Sequence, residues 1–408
     1  MLSAVEQPIS RFLSIPPEIR EQIYRLILQP DANRHYMEID YTYYDFKAAL
    51  VLFRLNRQIY LESRKIFRDL NVSVKIETPW PEAQHHVALE GHVPMLVTGR
   101  RTRLFTGHSL NVTIDAPEVP MENGEEQGFV VLLDDLEKFT QMWFYSSLSH
   151  GGLNPQLRLT LDLRDPNPSQ DEEKRVTKAL QRKLLLPFGV VKSLRSVVVT
   201  GDPKPFDSIE RELRELQAIP PHSPEHCLRE ATRLKHEGNT ELNAGHYTEA
   251  LRLYKAAWHA IHVVIAGRKR HIHADHFFNR QLREAPYENK NGQAERLVLR
   301  VQLVANTCQV YLKLHEYEEC AYWGTRSIDM LRVAMGWDER QDVLPEDEAV
   351  LGFPAADQMG KIYYRTALAK KELGERGEAR QLLKVAAVYL PRDEMVQKAI
   401  GECALRLG

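Results

Sequence analysis

The chain has 408 residues and a formal net charge of −2, with 54 Lys and Arg against 56 Asp and Glu. That length suits two or three domains, and 43% hydrophobic with 27% charged residues is an ordinary globular balance with enough apolar content for a sizeable core. The near-neutral charge excludes a global attraction to nucleic acid or an anionic membrane, so any anion site must be a local cluster. The four cysteines, Cys227, Cys308, Cys320 and Cys403, form no CxxC pair and are absent from the first 226 residues. This argues against a disulfide framework or zinc ribbon and fits a reducing compartment, cytoplasmic or nuclear. No basic flank with an apolar run opens the chain and no stretch is long and apolar enough to span a bilayer, so neither signal peptide nor membrane helix is expected.

Residues 12–29, "FLSIPPEIREQIYRLILQ", open with Ser14 and the Pro16-Pro17 pair. Proline suits a first helical turn, where its missing N–H costs nothing. Ile19, Ile23, Leu26 and Ile27 then share a helical face, expected to point inward, and Pro30 closes the helix. A tyrosine-rich loop (Tyr36 to Tyr44) leads to a second amphipathic helix over 48–67, with Leu52, Leu55, Ile59 and Ile66 as the expected inward side.

The marks Ile15-Pro-Pro-Glu-Ile-Arg20, Ile23-Tyr24 and Leu55-Asn-Arg-Gln-Ile-Tyr60 resemble the F-box-like proteins of filamentous fungi, over about sixty residues. The resemblance implies a helical module at 10–68 that docks on the Skp-type adaptor of a cullin–RING ubiquitin ligase. Ile15, Pro16, Pro17, Ile19 and Ile23 would be the adaptor-binding residues. Ile15 stands where that group has leucine, and a long loop splits the helices. The alternative is a small helical module packed on the next domain.

The middle region, 69–205, alternates strand-like runs at 70–77, 109–116, 156–164 and 194–201 with helical patterns at 130–147 and 171–189. Leu157, Leu159, Leu161 and Leu163 give the clearest period of two. Strand–helix–strand alternation predicts a parallel sheet with right-handed crossovers. A leucine-rich-repeat-like stack is one version, although no consensus repeat is legible. Asp115 to Gln127 reads as a polar loop. Three prolines in 217–227, "QAIPPHSPEHC", mark a domain boundary, and 206–225 is expected to be linker.

From about 226 the texture is helical. Gly238, Tyr247, Ala250, Tyr254 and Ala257 follow a small/large pattern that lets two antiparallel helices approach closely. Cys308, Tyr311, Tyr317, Cys320 and Ser327 repeat it, and Ala367, Gly374, Ala379, Ala386 and Pro391 repeat it again. The pattern resembles a three-repeat tetratricopeptide domain, with repeats at 231–263, 301–332 and 360–391, a capping helix at 393–407 and insertions near 264–295 and 333–357. The expected fold class is therefore multidomain, α + α/β: F-box-like helices, a small mixed or parallel α/β middle domain and an all-α repeat domain.

Lys235 and Asn239 lie four residues apart, as do Lys361 and Arg365, so each pair shares a helical face. In the repeat register these four and Asn306 fall on the first helices, which line the concave surface. All five match the carboxylate clamp of co-chaperones that bind the Glu-Glu-Val-Asp tails of heat-shock chaperones. The chemistry suits a terminal aspartate: two ammonium groups, two carboxamides and one planar guanidinium. The resemblance implies a co-chaperone-like adaptor, and the alternative is an F-box substrate receptor using the repeats for substrate recognition. His271, His273 and His276, with Asp275, lie beside Arg268-Lys-Arg270 and read as a solvated basic stretch rather than a metal site. No phosphate loop, nucleophile elbow or H-E-x-x-H motif is present, so no catalytic residue, metal or cofactor is expected.

Overall fold

A computed structural model describes residues 11–36, 42–118, 127–166, 176–337 and 343–403. The chain divides into two units at the proline-rich segment, Met1–Pro221 and His222–Gly408. The architecture is α + α/β, with a mixed central sheet in the first unit and stacked helices in the second.

In the first unit, Pro17 opens α1 (Pro17–Leu28) as expected. The expected inward face is corrected: Tyr24 and Leu28 are buried with Arg20, whereas Ile19, Leu26 and Ile27 are exposed and Ile23 is half-buried. The cause is a polar anchor. Arg20 donates through Nε and Nη2 to Glu62 at 3.0 and 2.6 Å, and the Tyr24 hydroxyl donates to the same carboxylate at 3.0 Å. A buried guanidinium must face its partner, so this contact sets the rotation of the helix. The tyrosine-rich loop holds β1 (Arg34–Tyr36) and β2 (Thr42–Tyr44), paired antiparallel. The helix expected over 48–67 is split into a 3-10 turn at Ala49–Arg54 and α2 (Arg57–Leu70). Asn56 makes the break, its side chain accepting from the Ile59 N–H at 2.9 Å. Leu55, expected inside, is exposed at this break, while Ile59 and Ile66 are buried.

The middle of the unit has β3 (Ser73–Thr78), α3 (Ala83–Leu89), β4 (Val97–Thr98), β5 (Leu110–Asp115), β6 (Gln127–Leu132), α4 (Leu136–Ser149), β7 (Arg158–Arg164), α5 (Lys178–Leu185), β8 (Ser196–Asp202) and α6 (Asp207–Ala218). The strand order is β4-β6-β3-β5-β7-β8. Only β3 with β5 and β7 with β8 are parallel, so the sheet is the mixed one of the two versions expected, and the parallel alternation read from the strand–helix spacing is corrected for the other pairings. The error has one source. Phe129, Val130, Val131 and Leu132 are at most 1% exposed. A strand buried on both faces has no alternation and reads like the start of a helix. The helix expected from 130 therefore begins at Leu136, and the one expected over 171–189 is α5 followed by a 3-10 turn, with 171–175 outside the described residues. Of the expected polar loop, 119–126 lie outside the described residues. Ile76, Val112, Leu161 and Leu163 carry the sheet side of the core, against Phe139, Leu184 and Phe188. Residues 207–218, expected as linker, form α6 and bury Ile209 and Leu213 in that core.

The second unit is built on three helical hairpins: α7 (Pro224–Ala244) with α8 (Tyr247–Ala260), then, after an insertion, α10 (Gly292–Lys313) with α11 (Tyr317–Ala334), then α13 (Ala356–Glu372) with α14 (Arg376–Tyr389). The intervening short helices are α9 (Asp275–Phe278) and α12 (Pro345–Glu348), and α15 (Glu394–Cys403) packs on α14. The expected capping helix is described to Cys403, and 404–407 lie outside the described residues. Gly245 makes the first tight turn at φ +86, a left-handed conformation that glycine adopts without strain. Within each hairpin the small residues sit at the crossing: Ala250, Ala257, Cys308, Cys320, Ala379 and Ala386 are fully buried.

The insertion after α8 corrects the expectation of a solvated basic stretch. Strands β9 (Val263–Ala266) and β10 (Lys269–Ile272) pair antiparallel. Arg270 is buried between Trp258 and Trp323, its guanidinium 5.3 and 5.9 Å from the two ring centroids. Arg296, fully buried on α10, ties the segment down: it donates to the carbonyls of Ile261, His262 and His273 at 2.9, 3.2 and 2.6 Å, and to Asp275 at 2.8 Å. His271 therefore lies half-buried on a paired strand and His273 is buried just after it, while His276 is exposed on α9. In the second insertion, Glu348 of α12 accepts from Arg332 at 2.8 Å and from the Tyr363 hydroxyl at 2.7 Å, which pins that segment to α11 and α13.

Candidate functional site

The first helices of the hairpins, α7, α10 and α13, are neighbours, with α10 packed on both of the others. Lys235 and Asn239 lie on α7, Asn306 on α10, and Lys361 and Arg365 on α13. Close packing within the first hairpin fixes the register. A Cβ on Gly238 would stand 2.5 Å from the Tyr254 ring, so α7 carries its glycine where α8 presents its aromatic residue.

Polar contacts join three of the five residues to α10, which itself carries Asn306. Asn306 Nδ2 donates to Asn239 Oδ1 at 2.7 Å, and the Tyr254 hydroxyl donates to the same oxygen at 2.8 Å. Arg365 Nη1 donates to the Ala305 carbonyl, one residue before Asn306, at 2.6 Å. Lys235 Nζ donates to Gln302 Oε1 at 2.5 Å. Lys361 lies one turn before Arg365 and is exposed. Asn239, Asn306 and Arg365 thus converge, and the two lysines stand one helical turn away on either side.

The site is positive. Lys235, Lys361 and Arg365 make no ion pair with a carboxylate among the described residues. Burial holds the Lys235 ammonium and the Arg365 guanidinium below their ordinary pKa values. A desolvated cation with no counter-charge favours an incoming anion, which restores the lost solvation. Burial also pushes the Tyr254 hydroxyl up to about 12, so it is a neutral donor at physiological pH.

Two members escaped the sequence reading. Gln302 holds Lys235, and it precedes Asn306 by four residues, so the i, i+4 rule applied to Asn306 finds it. Tyr254 was assigned as a packing aromatic, and its hydroxyl has the second task of orienting Asn239. Cys308 and Cys320 lie beneath the site, where Cys320 Sγ meets the Arg365 carbonyl at 3.6 Å; both thiols are fully buried, as packing residues are.

In the N-terminal helices, Pro16 and Pro17 are exposed, and Ile15 is half-buried with its carbonyl accepting from Arg20 Nη1 at 2.5 Å. Ile19 is exposed and Ile23 half-buried on the same side of α1, away from Tyr24 and Leu28. No grouping of three or more His, Cys, Asp or Glu able to hold a metal occurs among the described residues, and no described helix is long and apolar enough to cross a membrane. No protein-family model matches the chain, and comparison with curated proteins and with solved structures finds no match either.

Proposed function

We propose that this protein is a non-enzymatic adaptor that captures the free C-terminal carboxylates of an acidic tail. Its second unit is read as three tetratricopeptide-type repeats with a co-chaperone-like clamp. The ligand class is the Glu-Glu-Val-Asp tail of heat-shock chaperones, whose last residue offers two carboxylates. One observation carries the reading: three cations on the two helices that flank α10 have no carboxylate partner among the described residues, and two carboxamides lie between them. Asn239 Oδ1 is occupied by Asn306 and Tyr254, which leaves its amide nitrogen for the ligand. Lys235 keeps two of its three N–H donors after Gln302.

Charge-assisted hydrogen bonds contribute about 1.5–3 kcal/mol each when well made. Several of them, less the cost of association, support an affinity near micromolar, about −8 kcal/mol. The test is titration of a Glu-Glu-Val-Asp peptide as free acid and as C-terminal amide. The acid binds and the amide binds at least about tenfold more weakly, the loss expected for one charged contact. Equal affinities would remove the clamp.

A second reading rests on the first unit. Ile19, Leu26 and Ile27 are exposed on α1, and Val51, Leu55 and Leu61 are exposed in and around the following helix. Apolar exposure of this extent on a short helical module marks an interaction surface. It favours an F-box-type contact with a Skp-type adaptor, the repeats then recognising a ligase substrate. Co-purification with the adaptor, lost on Leu26→Asp, separates this reading from the first, and both hold if each contact is found.

A further inference from the structure

The six-stranded sheet of the first unit ends differently at its two edges. At one edge β4 is two residues long. At the other, β8 runs for seven residues, Ser196-Val-Val-Val-Thr-Gly-Asp202, and carries no charge before Asp202. Proteins blunt an open edge with a short strand, a charge or a proline, and only the β4 edge is kept short. Beyond β7 and the residues flanking it, no backbone group among the described residues bonds to β8. The Asp165 N–H donates to the Asp202 carbonyl at 3.2 Å, so Asp202 and, at a period of two, Thr200 turn their backbone toward β7. Val199 and Gly201 therefore present N–H and C=O outward. Arg214 of α6 caps the Val197 carbonyl at 2.6 Å, and no described group bonds to the outward backbone of Val199 or Gly201.

The side chains give β8 one packed face and one bare face. Val197 and Val199 lean on the core. Ser196, Val198, Thr200 and Asp202 are exposed, Val198 by 46%. The bare face continues onto β7, where Arg158, Thr160, Asp162 and Arg164 stand beside them in register. Charge sits at its two ends: Arg164 beside Asp202 at one, and Arg158 beside Ser196 at the other. Arg158 is 50% exposed, and its contact to Asp115 is loose at 3.9 Å.

We propose that the outer edge of β8 pairs antiparallel with β8 of a second copy of this chain, across a two-fold axis at Val199. The strand is complementary to itself in that direction. Val199 faces Val199, Val198 faces Thr200, and Ser196 faces Asp202 of the second copy. The outward N–H and C=O groups of Val199 and Gly201 gain partners, and exposed Val198 is covered by a β-branched side chain. Asp202 of the second copy lies two strand spacings from Arg158, about 10 Å between Cα atoms. Only a serine stands between them, so the arginine side chain spans the gap. The two-fold axis repeats this contact at the other end. Parallel stacking of two copies would set Asp202 against Asp202, a like-charge pair that is unfavourable, so the charges select the antiparallel copy. This pairing rests on neither reading of the protein's function.

An interface of one strand and its flanks is at the small end of specific contacts, so the Kd is roughly 10–100 µM. Sedimentation velocity of the full chain shows monomer well below that concentration and dimer well above it, and hydrogen exchange at Val199 and Gly201 slows over the same range. Val198→Lys changes an exposed side chain, so the monomer melts as wild type does. In the pair it loses two cross-strand contacts and sets two ammonium groups on diagonal positions, which raises the Kd about tenfold. Val198→Thr keeps the β-branched shape and dimerises as wild type does. A chain that stays monomeric up to roughly ten times that Kd, with exchange at Val199 and Gly201 independent of concentration, leaves the edge to a strand of another protein and overturns the proposal. A dimer that Val198→Lys leaves intact overturns it as well.

Discussion

Gly238→Ala tests the packing that sets the register of the first hairpin, because two effects predict opposite signs. Helix propensity alone favours alanine over glycine in a helix interior by about 1 kcal/mol. The structure opposes it. The new Cβ would meet Tyr254 Cε1 at 2.5 Å and Cδ1 at 2.8 Å, closer than any carbon contact tolerates. Tyr254 is 1% exposed, so its ring cannot swing into solvent, and moving it breaks the hydroxyl contact to Asn239. Overpacking costs about 1–3 kcal/mol and the lost hydrogen bond about 1 kcal/mol. Net destabilisation of about 2 kcal/mol remains, which lowers the melting temperature of a unit this size by about 4–8 °C. Scanning calorimetry of the full chain resolves it, with Tyr254→Leu as the coupled control. In that background Gly238→Ala is neutral or stabilising, since the opposing ring is gone. A rise in melting temperature on Gly238→Ala in the wild-type background would refute the register.

Arg296→Met removes the group that satisfies three backbone carbonyls of the insertion; it costs about 3–5 kcal/mol, and hydrogen exchange shows β9 and β10 losing protection while α13 and α14 keep theirs. Lys361→Ala and Arg365→Ala both weaken binding of the free-acid peptide about tenfold or more but differ in stability: Lys361 is exposed without a partner among the described residues, so its variant melts as wild type does, whereas Arg365→Ala loses the Ala305 contact and about 1.5–3 kcal/mol. Hydrogen bonds from Arg20 draw the Glu62 pKa down to about 2, below the ordinary carboxylate value of about 4.3. Its contribution to stability is therefore complete above the ordinary value and is lost as pH falls through about 2; urea midpoints of wild type and Glu62→Gln differ at pH 5 and converge toward pH 2. Ile19→Asp leaves stability unchanged, since Ile19 is 44% exposed, and abolishes adaptor co-purification if the second reading holds.

The helical hairpins were the most legible part of the fold. Their small residues recur at fixed spacing, and close helix crossing depends on them, so Gly238, Ala250 and Ala257 reveal the packing directly. The clamp candidates followed because i, i+4 pairs keep their geometry on any helix. The rotation of α1 was misread because its most apolar side is the exposed one: the Arg20–Glu62 contact, spanning forty-two positions, decides which face turns in, and no local pattern encodes it. Strand β6 was hidden by burial on both faces, which erased its alternation and with it the antiparallel pairings of the sheet. The histidine–arginine insertion looked solvated because charge in a sequence gives no sign of its depth. Only tertiary contacts with Trp258, Trp323 and α10 bury Arg270 and satisfy the carbonyls around Arg296.

The central claim is that Lys361 and its neighbours hold a terminal carboxylate. Calorimetric titration of wild type and Lys361→Ala, each with the acid and amide forms of the Glu-Glu-Val-Asp peptide, isolates that contact as a coupling energy. Wild type prefers the acid by about tenfold or more, and the variant has lost most of that preference. The same acid-to-amide ratio in both proteins contradicts the account, because the tail would then be bound without its terminal charge meeting Lys361.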